Sequence, residues 1–131
     1  MDNRFEVTVS AGTMRSDSGA AVRFPHQWTP GGVTVEADFT GAHLLHLAVA
    51  GCVLNDIYRE AESLGIDVSG VRVTAAGGFD PTTWQSTGID YSVEVSSDAS
   101  ADKLAHLLEV VDQVAEIPQA IRAGAGVRRA G

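Results

Sequence analysis

The residue of this sequence best suited to chemistry is its only cysteine, Cys52, which stands inside the apolar run LLHLAVAGCVL at positions 44–54. A thiolate is a strong nucleophile, whereas a protonated thiol in apolar surroundings is a packing residue. At helical spacing Cys52 shares a face with Val49, Asp56 and Arg59. Burial and a neighbouring carboxylate both raise the pKa of a thiol. A reactive Cys52 therefore requires a positive group from elsewhere in the fold, and without one it is inert.

Two other residue pairs have weaker chemical signals. His43 and His46 are three positions apart, so a helix would present both imidazoles on one side, but no metal-ligand spacing accompanies them. Trp28 and Trp84 fall in predicted loops, where they line an apolar ligand pocket or cover an edge of the core. The sequence also lacks the glycine-rich and nucleophile motifs of cofactor-binding and hydrolytic enzymes. We therefore predict no metal and no cofactor.

Size and charge limit the classes of function. The chain of 131 residues is expected to form a single domain, residues 1–131. Lys and Arg total 9 and Asp and Glu total 17, which gives a net charge of -8 and argues against a nucleic-acid partner. One cysteine excludes an internal disulfide and fits a reducing compartment, here predicted to be the cytoplasm.

The hydrophobic segments do not predict a membrane protein. The longest apolar run, residues 44–54, is about half of the ~20 residues that span a bilayer. The N-terminal residues show no basic start followed by a long apolar stretch, so we expect no signal peptide. The apolar run is better explained as part of a buried helix.

Alternating apolar and polar residues predict the strands. Three of them are expected to form a small antiparallel meander at the N-terminal end, and two more are close enough in sequence to form a hairpin. The predicted strands are Phe5–Val9, Ala20–Phe24, Val33–Phe39, Val68–Phe79 and Ile89–Val95.

A long helix is predicted over Gly41–Leu64, with Thr40 as its N-cap and Gly65 in the left-handed position after its last turn. Its first part is apolar on almost every side and should be buried all round. Its last part is charged, and Asp56 with Arg59 is expected to lie on a solvated face.

A second helix is predicted over Ser100–Ala115, followed by a short helical piece over Pro118–Ala123. Because strands and helices are segregated along the chain, we predict an α+β fold in which a curved, mostly antiparallel sheet packs on a long central helix and a second helix. The apolar start of the long helix exceeds what a small monomer needs, which predicts coverage by a second copy in a two-fold homodimer.

Several stretches of the sequence follow the pattern of a known family. The most specific is TGAHLLHLAVAGCVLNDIYREAESLGIDVSGVRV at positions 40–73; TMRSDSG at 13–19 and IPQAIRAGAGV at 117–127 are similar to two further segments. On these stretches the sequence resembles the OsmC/Ohr family of hydroperoxide reductases, over roughly residues 5–126. In the longest stretch the matching positions are Leu44, Leu45, Ala48, Ala50, Gly51, Cys52, Gly70 and Val71.

The resemblance implies an intertwined homodimer with a reactive thiol at the subunit interface. Cys52 matches the cysteine that attacks the peroxide and becomes a sulfenic acid. Arg15 matches the loop arginine that stabilises the thiolate, and Arg23 is the alternative. In the family a glutamate orients the arginine, and a second cysteine closes a disulfide that a dithiol reductant reopens.

The sequence departs from this pattern at two positions. Ala42 stands where the glutamate is expected, and the neighbouring His43 offers a neutral acceptor instead of a carboxylate. The second cysteine is expected near Ala115, yet the sequence has no cysteine besides Cys52. The resemblance therefore implies a divergent member that lacks the second cysteine. Its oxidised thiol would be reduced by an external thiol or by Cys52 of another subunit.

Three functions follow as hypotheses. The first is a thiol-dependent reductase of peroxides, chiefly organic hydroperoxides, that serves oxidative-stress defence through Cys52 and Arg15 with an external thiol as reductant. The second is a non-catalytic module on the same fold that binds a small apolar ligand while Cys52 packs in the core. A third, weaker possibility is another reaction of the thiol, such as reversible acyl or persulfide transfer. In each case we expect a homodimer with neither a nucleic-acid nor a membrane partner.

Overall fold

The computed structural model describes residues 4–131, so residues 1–3 of the predicted domain lie outside the described residues. The described residues confirm the α+β class. Within residues 4–131, five antiparallel strands form one sheet, and three helices accompany it. The elements in chain order are β1 (Phe5–Gly12), β2 (Val22–Phe24), β3 (Val33–Glu36), α1 (Gly41–Leu64), β4 (Gly70–Phe79), β5 (Ser86–Ser96), α2 (Ala101–Val114) and α3 (Glu116–Ala123).

The sheet has the strand order β2-β3-β1-β4-β5, so β1 is its central strand. Val9 of β1 is paired with Val35 of β3 on one side and with Val73 of β4 on the other. The predicted meander is therefore wrong, because β2 pairs with β3 and not with β1. The physical reason is burial. The side chains of β1 alternate into the core, which suits a central strand, whereas all of β2 is exposed and suits an edge. The β4–β5 hairpin is confirmed.

Helix α1 begins and ends where its caps predict. The Thr40 hydroxyl accepts a hydrogen bond from the His43 backbone N–H, and Gly65 ends the helix in the left-handed conformation with φ 69°. The helix packs across β1 and β4 and also contacts α2 and α3. Val53 and Ile57, which are fully buried, anchor it to the common core. This central position brings one face of α1 against α3. Among the described residues, no helix combines the length and apolar character needed to cross a bilayer.

The burial of α1 differs from expectation at both ends. In the single chain, Leu44 is 36% exposed and Ala48 is also exposed, so one side of the first half of the helix lacks a cover. In the second half, Asp56 is only 2% exposed, so the prediction of a solvated Asp56 is wrong. The packing of α3 against α1 explains the burial of Asp56. Helical spacing alone does not say which neighbouring element covers a face.

The two C-terminal helices, α2 and α3, are separated by Ala115 alone, and both contact α1. Helix α2 begins after Ser100, whose hydroxyl accepts a hydrogen bond from the Lys103 backbone N–H. Helix α3 begins at Glu116, before the predicted start at Pro118. Proline is tolerated there, because an N–H in the first turn of a helix has no intrahelical partner. Because α3 begins at Glu116, its first turn lies against the thiol of Cys52.

Candidate functional site

Cys52 lies in the middle of α1 and is 9% exposed. The groups that shift its pKa come from two elements, α1 itself and the first turn of α3. From α1, Asp56 follows one turn later on the same face; from α3, Glu116 and Ile117 approach with their backbones. The packing of α3 on α1 therefore builds a small polar site around a sulfur that the sequence places in an apolar run.

The first turn of α3 points backbone N–H groups at the sulfur. The N–H groups of Ile117 and Glu116 both hydrogen bond to Cys52 and lower the pKa of its thiol. Ala115, the N-cap of α3, has no side chain that could accept these bonds. The sulfur of Cys52 thus takes the place of a capping oxygen at the positive end of a helix, an arrangement that favours the thiolate. These backbone donors oppose the effect of burial but do not overcome it, because the pKa of Cys52 is raised overall.

Carboxylates surround the same sulfur. The thiol of Cys52 donates a hydrogen bond to Oδ2 of Asp56, with a distance of 3.9 Å between the two atoms. The other carboxylate oxygen of Asp56, Oδ1, forms an ion pair with Arg59 at 3.2 Å. Glu116, which is exposed, completes a cluster in which the sulfur and one oxygen of each carboxylate lie within 4.8 Å of one another. Among the described residues, this cluster is also the group best placed to hold a metal ion.

The balance of these effects leaves the thiol protonated at neutral pH. Burial is the largest cause and raises the pKa of Cys52; the Ile117 N–H lowers it, and the Asp56 and Glu116 carboxylates raise it again. Burial likewise raises the pKa of Asp56, against the stabilising charge of Arg59. The site therefore contains a thiol and a carboxylate that share a hydrogen bond, with helix N–H groups ready to receive a thiolate.

Replacing Glu116 with glutamine is expected to increase the reactivity of Cys52 modestly. The substitution removes an exposed charge that raises the pKa of the thiol and keeps the backbone N–H groups of α3 in place. The measurement is the rate of iodoacetamide alkylation as a function of pH, with Glu109→Gln on the exposed side of α2 as control. The midpoint should move to lower pH for Glu116→Gln only. An unchanged midpoint in both variants would contradict this electrostatic account.

The structure places Arg15 away from the thiol of its own chain. Its guanidinium packs against Gly31, where a Cβ atom would lie 2.0 Å from Nη1. Burial raises the pKa of Tyr58, and the charge of Arg15 opposes that rise. Tyr58 lies six residues beyond Cys52 and on a different side of α1. The alternative, Arg23, lies on the exposed edge strand β2. Within the described residues of one chain, neither arginine is brought to Cys52, so a role for Arg15 there stays a prediction.

The two helix histidines have structural partners. Nδ1 of His43 lies 2.6 Å from Oγ1 of Thr40. Nδ1 of His46 donates to the backbone carbonyl of Ala42 at 2.6 Å, and its ring packs against Phe5 and Phe79. The pair therefore belongs to the start of α1 and an aromatic cluster. Ala42 contributes its backbone carbonyl here, and the carboxylate of Asp38 lies 4.0 Å from Nε2 of the neighbouring His43.

Both tryptophans line clefts, as one of the two sequence-based interpretations proposes. Trp28 contributes to a cleft of about 380 Å³ between the loop after β2 and α1, with Leu47 and Leu54 in its wall. His26 closes one side of this cleft by a 2.9 Å contact with Asn55. Trp84, which is highly exposed, lines an apolar groove together with Phe5, Ala42, Phe79 and Pro81.

A third cleft, with a volume of about 290 Å³, lies between α1, β5 and α3, and Cys52 is not among its lining residues. Val49, one turn before Cys52, forms part of its wall, and so does Pro118, which follows Ile117. The remaining lining residues are Ser86, Gly88, Ile89, Tyr91, Ile121 and Arg122. The wall is thus mainly apolar, and Tyr91 and Arg122 contribute polar groups to it.

Sequence reasoning missed Glu116 and Ile117 as parts of the site. The reason is that their contribution to the thiol comes mostly from backbone N–H groups, which carry no side-chain signature. One signal was present, since the family's second cysteine was expected near Ala115. The structure places that segment against Cys52, so the segment expected to carry the second thiol does face the first.

Comparisons with known proteins agree with the fold. A family model described as OsmC-like protein matches residues 34–128. A solved structure of an OsmC-like hydroperoxide resistance protein from Jannaschia sp. CCS1 superposes with a TM-score of 0.60 at 11% identity, covering 98% of this chain and 93% of that chain. At this identity the likeness shows a common fold. A search of curated proteins finds no match.

Proposed function

The chain belongs to the OsmC-like protein family, and from this membership we propose that it reduces organic hydroperoxides through the single thiol of Cys52, as part of oxidative-stress defence. The observation that carries the proposal is the position of the sulfur at the start of α3, where two backbone N–H groups can stabilise a thiolate. The hydroperoxide resistance protein named above, which has the same fold, supports the same class of substrate.

The proposed reaction has two stages. In the first, the thiol of Cys52 loses its proton, the thiolate attacks the terminal oxygen of a hydroperoxide, and the O–O bond breaks. Cys52 becomes a sulfenic acid, and the leaving alkoxide takes up one proton, which replaces the proton lost by the thiol, to give the alcohol. In the second, two molecules of an external thiol return the sulfenic acid to the thiol, with release of water and a disulfide of the external thiol. The second stage requires an external reductant because the chain has no further cysteine.

The cleft lined by Val49 of α1 and Pro118 of α3 favours a substrate with an organic group. Val49, Ile89 and Ile121 give it apolar walls, which would bury the hydrocarbon part of a hydroperoxide and hold the peroxide oxygens toward α1. Hydrogen peroxide gains nothing from such walls. The proposal therefore includes a preference for organic hydroperoxides over hydrogen peroxide. The test is to compare the rates of consumption of cumene hydroperoxide and hydrogen peroxide by the purified protein in the presence of a dithiol.

We also propose that the working form is a homodimer. The open side of α1, with Leu44 and Ala48 exposed, is an apolar surface that a second copy would cover. Arg15 completes the proposed site only if the second copy supplies it, because in one chain its guanidinium packs against Gly31. A single free thiol fits a reducing compartment, so we place the activity in the cytoplasm.

Replacing Leu44 with glutamate is expected to convert the dimer to a monomer at micromolar concentration. A carboxylate in the centre of an apolar contact loses its hydration without gaining a partner. Leu64→Glu is the matched control, since Leu64 lies on the same helix and is 43% exposed, close to the 36% of Leu44. Light scattering after gel filtration gives the mass of each variant. A monomeric wild-type protein would contradict the proposal outright.

A second candidate function is supported by the cleft beneath Trp28. Its apolar walls and the His26–Asn55 contact at its side fit a small apolar ligand with one polar group. Burial raises the pKa of Cys52, which also fits an inert thiol. Under this function, ligand binding raises the melting temperature, and substitution of Cys52 leaves that increase unchanged.

A further inference from the structure

The carboxylate of Asp56 is oriented toward the thiol. Its Oδ1 is held by Arg59 at 3.2 Å, and this ion pair leaves Oδ2 directed at the sulfur of Cys52, 3.9 Å away. Asp56 is 2% exposed, so the thiol and the carboxylate meet almost without water. The fixed orientation distinguishes Asp56 from Glu116, which is exposed at the edge of the same cluster.

Burying an aspartate at this position is energetically unfavourable. Removing a carboxylate from water carries a penalty that a single ion pair with the half-exposed Arg59 offsets only in part. The other charges that act on Asp56, those of Glu116 and Glu60, oppose its ionisation. The carboxylate also makes the thiolate of Cys52 harder to form. Neither packing nor thiolate stabilisation explains this residue, whereas exchange of a proton with the thiol does.

Building on the proposed peroxide reduction, we propose that Asp56 is a catalytic residue that takes the proton of the Cys52 thiol and delivers it to the alkoxide that leaves the hydroperoxide. An uncatalysed leaving alkoxide would be strongly basic, so a positioned acid lowers the barrier to O–O cleavage. A carboxyl group whose pKa is raised by burial is suited to both halves of this transfer.

The step balances in atoms and electrons. Oδ2 of Asp56 accepts the proton from Sγ, and the sulfur lone pair forms the S–O bond to the terminal peroxide oxygen. The O–O bond breaks, and its electron pair leaves on the alkoxide, which takes the proton from Asp56. The products are a sulfenic acid at Cys52, an alcohol and the original carboxylate, so sulfur is oxidised and the peroxide reduced by the same two electrons.

The test compares two reactions of Cys52 in Asp56→Asn. Alkylation by iodoacetamide needs only a thiolate, and removal of a charge that raises the pKa of the thiol should make it several-fold faster at pH 7. Single-turnover oxidation by cumene hydroperoxide needs the proton as well, and it should become about 100-fold slower. Opposite changes in the two rates support the proposal. A rise in both rates, or an equal fall in both, would overturn it.

Two further measurements keep the comparison decisive. Glu116→Gln removes a charge from the same cluster but leaves Asp56 as the proton carrier, so the alkylation rate and the oxidation rate of Cys52 should both rise. A slower oxidation in Glu116→Gln would assign the proton transfer to Glu116 and overturn the role of Asp56. Wild-type protein in heavy water should show slower oxidation with unchanged alkylation, even if Asp56→Asn does not fold. Equal rates in light and heavy water would overturn the proposal. Both reactions are run with a chelator, which removes any contribution of a bound metal ion.

Failure of the proposed function is distinguishable from failure of this inference. If hydroperoxide leaves Cys52 of the wild-type protein unoxidised, peroxide reduction itself is wrong, and the role of Asp56 falls with it. If the wild-type protein is oxidised and Asp56→Asn is oxidised at the same rate or faster, the function stands and only the role of Asp56 is overturned.

Discussion

Cys52→Ser is expected to lower hydroperoxide consumption to the rate of the buffer alone. Serine keeps a small polar side chain that can accept from the N–H groups of α3, but its hydroxyl neither ionises near neutral pH nor reduces a peroxide. Because the chain has no other cysteine, no second thiol can take over. The measurement is the disappearance of cumene hydroperoxide with a dithiol in excess.

The fold of this variant should be intact. The circular dichroism spectrum should match that of the wild-type protein, and Cys52→Ala serves as a second inactive variant without a polar side chain. Peroxide consumption retained by both variants would mean that Cys52 is not the reactive group. In that case the cleft beneath Trp28 becomes the leading site, and ligand binding the leading function.

Ile57→Ala is expected to lower the free energy of unfolding by about 2–5 kcal/mol. Ile57 is fully buried where α1 packs on the sheet, so truncation leaves a cavity that β1 and β4 cannot fill. This loss is a large part of the ~5–15 kcal/mol that stabilises a typical domain. Urea denaturation followed by circular dichroism measures it.

Leu64→Ala is the matched control, because Leu64 is the last residue of the same helix and 43% exposed. Its expected change is below about 1 kcal/mol. Equal losses in the two variants would mean that α1 is not anchored to the sheet through Ile57. Equal losses would also put in doubt the position of Cys52, because Cys52 lies on the same helix as Ile57.

The local features of the fold were predictable from the sequence because they depend on neighbouring residues. Thr40 and Gly65 define the ends of α1, and the alternation in β4 and β5 defines their hairpin. The order of the N-terminal strands was not predictable in this way. Alternation identifies a strand, but it does not say that β1 pairs with β3 and β4 while β2 remains at the edge.

The candidate site was predictable only in part. Cys52 and its neighbour Asp56 follow from helical spacing, and the structure places them in contact. The burial of Asp56 and the approach of the Glu116 and Ile117 N–H groups depend on how α3 docks. Docking is a property of the assembled core, and the donors are backbone atoms that every sequence possesses. The sequence therefore suggested that a positive side chain would lie at the thiol. In the fold, the backbone N–H groups at the start of α3 lie there instead.

Trapping of the sulfenic acid tests the central claim most directly. Wild-type protein is mixed with one equivalent of cumene hydroperoxide and a cyclic 1,3-dione, without reductant, and the site of the adduct is mapped by mass spectrometry. The proposed function predicts an adduct at Cys52 that depends on the hydroperoxide and forms in proportion to the hydroperoxide consumed. An unmodified Cys52 after the hydroperoxide has been consumed, or hydroperoxide left intact, would contradict it.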